Sequence, residues 1–199
     1  MENCEVLDII ISFIKSYKNQ SKDSKPFIHS KYKNEDKWIF NTGYLFNQIM
    51  RQIDIPQERY LLSKAAKQLW DSITDEPITN FYYREKVVAK FDGAIINEFK
   101  GADKFPYRTR TLKAGDSFIY NDVFHQEHLI PIKVIIDELI ALDDEELDYE
   151  HVNYILNKMY ICRILKTEDR KIDSKYNRSS NKNDVISNVY KKAGIEVVE

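Results

Sequence analysis

The pattern of apolar residues changes at Asp75-Glu76-Pro77, and no other feature of the chain limits its fold as much. Before that point the spacing is helical. Val6, Ile9, Ile10, Phe13, Ile14 and Tyr17 fall on one stripe and predict an amphipathic helix over 5–17. The spacing resumes from Trp38 to Ile53 through Phe40, Tyr44, Leu45 and Ile49. Pro56 then opens a predicted helix running through Tyr60, Leu61, Leu62, Ala65 and Leu69 to Trp70. Beyond the change, Phe81, Tyr83, Val87 and Ala89 alternate with Tyr82, Arg84, Val88 and Lys90, which predicts a strand within 78–90. Asp92-Gly93 is a two-residue hairpin signal, with a return strand expected from Ala94 to Lys100 and closed by Gly101.

Further along, Phe105 to Asp116 reads as a loop and Ser117 to Phe124 as a strand. Ile132 to Leu142 has helical spacing, and a second helix carries His151, Ile155 and Met159 after the acidic run Asp143 to Glu146. Met159 to Leu165 is short, apolar and β-like, and Thr167-Glu168-Asp169 has the character of a helix start. Val185 to Lys192 closes the chain as a last helix; Lys18 to Asp36 and Ser174 to Asn183 read as polar connections. The expected fold class is α+β: a helical N-terminal region over 1–75 and a β-containing core over 76–199, or one integrated domain over 1–199.

Composition narrows the functional classes. With 43% hydrophobic and 31% charged residues the chain can build a core under a wet surface, and 13 Tyr with 10 Phe make aromatic packing prominent. Its two cysteines, Cys4 and Cys162, stand far apart and in no C-x-x-C arrangement, which argues against a structural zinc site or a disulfide framework. The acidic start Met1-Glu2-Asn3-Cys4-Glu5 lacks the basic onset of a signal peptide, and the apolar run after it is too short to span a membrane. The expected location is cytoplasmic, with no membrane partner. A net charge of -2 does not by itself point to nucleic acid, although local basic patches can be hidden in the sum.

The chemistry-bearing stretch is Phe124-His125-Gln126-Glu127-His128-Leu129-Ile130-Pro131-Ile132, which holds two of the four histidines and a carboxylate. Alternation puts His125 and Glu127 on one face of a strand and turns His128 away unless the strand has already ended. Glu127-His128-Leu129-Ile130-Pro131 resembles the Asp-His-x-x-Pro block of the HNH (His-Me finger) nucleases. Met159 to Ile164 resembles their second strand, and Lys166-Thr167-Glu168-Asp169-Arg170-Lys171 falls where their ligand-bearing helix begins. The resemblance covers roughly 117–176 and implies a ββα-metal site that cuts phosphodiesters. In it, Glu127 with Glu168 or Asp169 holds the metal, His128 acts as general base and His125 has a supporting role. Carboxylates replace the family's usual Asn or His on the helix, which suits magnesium or manganese better than zinc. The implied substrate is nucleic acid, DNA ahead of RNA, in a restriction or phage-defence role, and a homodimer would suit symmetric duplex cutting.

A rival centre lies upstream. Asp92 with Glu98-Phe99-Lys100 resembles the D…ExK core of the PD-(D/E)XK nucleases, although Asp92 is closer to Glu98 than that family usually allows. Between the two centres runs a basic loop, Lys100, Lys104, Arg108, Arg110 and Lys113, interleaved with Phe105 and Tyr107. This composition suits phosphate contacts and base stacking. Arg170, Lys171, Lys175 and Arg178 are further candidates for backbone contacts. His29 and His151 receive no role, and a non-enzymatic interaction protein with structural histidines is the third alternative.

Overall fold

A computed structural model describes residues 3–19, 42–101, 104–172 and 179–198. The fold is α+β. The chain divides into two compact units, each made of separated segments: 1–54 with 130–159, and 55–129 with 160–199. Residues 60–73, which the sequence texture groups with the N-terminal helices, belong to the second unit. Much of the polar connection Lys18 to Asp36 and the residues Trp38, His29, Lys175 and Arg178 lie outside the described residues.

The first unit is helical: α1 (Asn3–Asn19), α2 (Thr42–Arg51), α5 (Ile132–Ala141) and α6 (Tyr149–Leu156). The stripe that predicted α1 is buried in part: Ile10 and Ile14 are fully inaccessible, as are Phe46 and Met50 of α2, whereas Ile9 is 48% exposed and the off-stripe Ile11 is buried. Phe13 and Phe46 meet with ring centroids 5.1 Å apart. Ile135 and Leu139 of α5 and Val152 of α6 complete the core. Asp148 caps α6, its carboxylate accepting from the His151 N–H at 2.9 Å and from the His151 ring at the same distance. His151 is thus occupied as a helix-start partner.

The second unit carries the strands β1 (Tyr60–Ser63), β2 (Lys86–Val88), β3 (Ile95–Glu98), β4 (Arg108–Thr111), β5 (Ser117–Ile119), β6 (Phe124–His128), β7 (Ile161–Leu165) and β8 (Val197–Val198). Its helices are α3 (Lys64–Ile73) and the single turns α4 (Tyr120–Val123), α7 (Lys166–Asp169) and α8 (Lys182–Val185), the last continued by a wider π-type turn, Ile186–Tyr190. The main sheet has the order β6-β7-β1-β8. β6 runs antiparallel to β7, β7 parallel to β1, and β8 antiparallel to β1.

The local structure departs from the sequence pattern at three places. Pro56 precedes one 3-10 turn and then β1, so the helix expected from Tyr60 begins at Lys64, capped by Ser63, whose hydroxyl accepts from the Ala66 N–H at 3.0 Å. The strand expected over 78–90 shrinks to Lys86–Val88. Asp92-Gly93 does not close a hairpin between β2 and β3. Instead β2 pairs with β5 and β3 with β4, which claims part of the expected loop at 105–116. Asp92 serves that turn through its side chain, accepting from the Ala114 N–H at 2.7 Å.

Beneath the two small β-ladders lies a core of Trp70, Val87, Ile96, Leu112, Phe118, Tyr120 and Phe124. Trp70 meets Phe81, Phe124 and Tyr120 edge-on, and Tyr120 stacks on Phe124 at 5.2 Å. Buried edge-to-face pairs add roughly 0.5–1.5 kcal/mol each beyond the apolar area they bury. Arg163 of β7 is 1% exposed. Its guanidinium donates to the carbonyls of Ile78 and Phe81 and lies over the rings of Tyr60 and Tyr82 at 5.1 and 5.3 Å. The loop 78–82 is thereby pinned to the sheet face opposite His125 and Glu127, since Arg163 pairs in register with Gln126.

Candidate metal centre

β6 and β7 pair as neighbours in the sheet, with Glu127 opposite Cys162 and His125 opposite Ile164. Side chains alternate across a strand, so His125 and Glu127 emerge on one face while Gln126 and His128 emerge on the other. On the first face sits α7, which follows β7 without a break and contacts both strands. It brings Asp169 to the pair from β6.

The geometry is tight. His125 Nε2 lies 3.0 Å from Glu127 Oε2 and 3.9 Å from Asp169 Oδ1. One ligand atom from each of the three residues lies within 4.8 Å of the other two, close enough for all three to reach a single ion. Their side chains are 34%, 30% and 38% exposed, so the group is neither sealed in the core nor lost in solvent. The electrostatics agree with mutual dependence. Burial alone would lower the His125 pKa, but the hydrogen bond to Glu127 and the charge of Asp169 raise it. Burial raises the Asp169 carboxyl against the pull of His125.

Two of the three, His125 and Asp169, line a cleft of about 460 Å³ together with Tyr83, Gly101, Asn121, Lys166 and Arg170. That volume falls in the range of small-ligand sites, roughly 300–1,000 Å³. Lys166 and Arg170 bring positive charge to its wall, and burial lowers the Lys166 ammonium. The guanidinium of Arg170 stacks over Phe99 at 4.3 Å, which holds it at the cleft rather than leaving it to wander.

Glu127, Asp169 and His125 come together. Glu168 does not: its carboxylate turns inward, 6% exposed, accepting from Ser63 Oγ at 2.5 Å and from the Leu165 N–H at 2.9 Å. His128 is the last residue of β6, paired in register with Ile161 and turned by alternation to the face of Gln126. Arg170 lines the cleft, whereas Lys171 is exposed beyond α7. Lys100, Lys104 and Lys113 are exposed on the surface of the same unit. Sequence reasoning misses Tyr83, Asn121 and Lys166: Tyr83 and Asn121 fall in no motif, and Lys166 only opens the segment in which the acids draw attention.

The rival centre is occupied by structural ion pairs. Glu98, 2% exposed, accepts hydrogen bonds from Arg108 and Arg110, its neighbours on β4. Burial would raise its carboxyl, but the two guanidinium groups outweigh that and hold it below the usual glutamate range. Lys100 lies past the end of β3, and Asp92 is engaged in its turn. Arg108 and Arg110 are committed to Glu98, with Arg110 also 3.5 Å from Asp116.

Among the described residues no helix is long and apolar enough to cross a membrane. Compared with protein-family models, with curated proteins and with solved structures, the chain finds no match in any of the three.

Proposed function

We propose that His125, Glu127 and Asp169 bind one divalent cation and that the chain hydrolyses phosphodiester bonds in nucleic acid. The observation that carries this reading is the convergence of one imidazole and two carboxylates, with His125 and Asp169 lining a cleft that Lys166 and Arg170 also line. The donor set fits the ion. Two carboxylate oxygens suit magnesium or manganese, and an imidazole nitrogen shifts the preference toward manganese. A bound ion would supply Lewis-acid charge at the scissile phosphate. Lys166 and Arg170, which line the same cleft, would hold the phosphate oxygens. The antiparallel pairing of β6 with β7 and the single turn α7 directly after β7 support the HNH-like reading, with α5 and α6 inserted in the chain between the two strands. The site differs from that expectation in its histidine: His125 stands in the cluster, whereas His128 turns to the other face of β6.

The test is cleavage of plasmid DNA and of a long RNA with manganese, magnesium or chelator. His125→Ala, Glu127→Gln and Asp169→Asn should each abolish manganese-dependent cleavage, and His128→Ala should retain it. Loss in a folded His128→Ala protein with cleavage intact in His125→Ala would return the catalytic histidine to the position the motif implies. Absence of cleavage of either nucleic acid by well-folded wild type would overturn the reading.

A further inference from the structure

Tyr83 is placed unusually for an aromatic residue. It borders the cleft shared by His125, Asp169, Lys166 and Arg170, yet it is 60% exposed. Its neighbour Tyr82 covers the Arg163 guanidinium, whereas among the described residues no ring or cation packs on the ring of Tyr83. Its backbone has φ 23°, the sole positive value at a non-glycine among the described residues. An L-residue adopts that region against steric resistance, so the surrounding structure must hold it there.

The restraints are visible. Tyr82 N–H donates to Glu85 Oε2 at 2.8 Å, and Glu85 N–H closes the turn on the Tyr82 carbonyl at 2.9 Å. Asn121 N–H donates to the Tyr83 carbonyl and Tyr120 N–H to the Glu85 carbonyl, both at 2.9 Å. The turn is therefore clamped to the first residues of α4, and Asn121 lines the same cleft. A ring kept in water, on a strained and tightly held backbone, beside two cations, is a stacking platform awaiting a planar partner.

We infer that Tyr83 stacks on an unpaired base next to the scissile phosphate, so that the substrate is single-stranded or locally unpaired nucleic acid. The inference rests on the nuclease reading above and adds its substrate class. In a continuous duplex each base is covered on both faces by its neighbours. A ring at the cleft mouth finds a bare π-face only where a nucleotide is unstacked. Lys166 and Arg170 would hold its phosphate while Tyr83 holds its base.

Binding is measured in chelator on an Asp169→Asn background, with fluorescein-labelled single-stranded DNA and RNA oligonucleotides and a blunt duplex of the same sequence. The single strands should bind more tightly than the duplex. Tyr83→Ala should weaken them roughly 5- to 150-fold, as loss of one base stack does, while Tyr83→Phe stays near wild type. A 2-aminopurine placed in the strand should be quenched by the Tyr or Phe protein and not by the Ala variant. Thermal melting of each variant verifies folding, and Tyr83→Gly, which accepts the backbone conformation, supplies a second ring-free protein. Equal binding by folded Tyr, Ala and Gly proteins, or preference for the duplex, would overturn the stacking role even if wild type cleaves. Failure of wild type both to bind and to cleave would overturn the nuclease reading and this inference together.

Discussion

Glu168 and Asp169 are adjacent in α7, yet their carboxylates serve different partners. Asp169 Oδ1 lies 3.9 Å from His125 Nε2 at the cleft, while Glu168 Oε2 accepts from Ser63 Oγ at 2.5 Å in the interior. One acid thus ties the short helix to the sheet, and the other is delivered to the cluster by that tie.

The first prediction concerns the ion. Manganese should raise the melting temperature of wild type, because a ligand at a hundredfold its Kd adds about 2.7 kcal/mol to the folded state. Calorimetric titration and thermal melting should show this stabilisation, larger for manganese than for magnesium. Glu127→Gln and Asp169→Asn should abolish it. A shift that survives in both variants would place the metal elsewhere.

Glu168 and Ser63 should behave in the opposite way. Ser63→Ala removes both the cap of α3 and a partner of a buried carboxylate, and should cost about 1–3 kcal/mol in urea unfolding. Glu168→Gln should also destabilise, yet the folded protein should still titrate with manganese at wild-type stoichiometry. Loss of binding in a folded Glu168→Gln protein would make Glu168 the ligand instead.

Glu98 sets a pH dependence. Its carboxyl is held below the ordinary value of 4.5 by Arg108 and Arg110 against the opposing effect of burial. A carboxylate depressed on folding contributes stability that is complete above its unfolded pKa and lost as pH falls through the folded one. The stability advantage of wild type over Glu98→Gln should therefore be full at about pH 7 and shrink toward about pH 3. Denaturant midpoints at the two pH values measure it. A constant difference would mean that the two arginines do not act on Glu98 as ions.

Tyr83→Gly should separate stability from binding. Relief of the positive φ is worth roughly 1 kcal/mol, so the variant should melt no lower than wild type while losing its grip on single strands. Parallel loss of both would make Tyr83 an ordinary packing residue.

Local pattern carried much of this arrangement. The helical spacing from Val6 to Tyr17 lies within α1, although Ile9 of that stripe faces solvent, and alternation alone puts His125 with Glu127 and against His128. The acids after Thr167 marked α7, although which of them faces the cleft depends on Ser63, far away in the chain. What could not be read was partnership between distant strands. Asp92-Gly93 carries a hairpin signal whichever strands flank it, but β3 pairs with β4, where Glu98 meets Arg108 and Arg110 across the ladder. The same holds for Arg163. Arginine in an apolar run reads as an exposed interruption, and its burial depends on carbonyls and rings supplied by 60, 78, 81 and 82. Tyr83 gave no signal, because its positive φ is imposed by the clamp to α4.

Cys162 sits on β7 directly opposite Glu127, fully buried, and burial pushes its thiol far above the ordinary range. A thiol so placed is unreactive while the strands stay paired and reactive once they part. The rate at which a disulfide reagent modifies Cys162 is therefore a clock for the opening of the β-ladder that carries His125 and Glu127. An ion bridging that ladder to α7 would slow the clock without touching the sulfur.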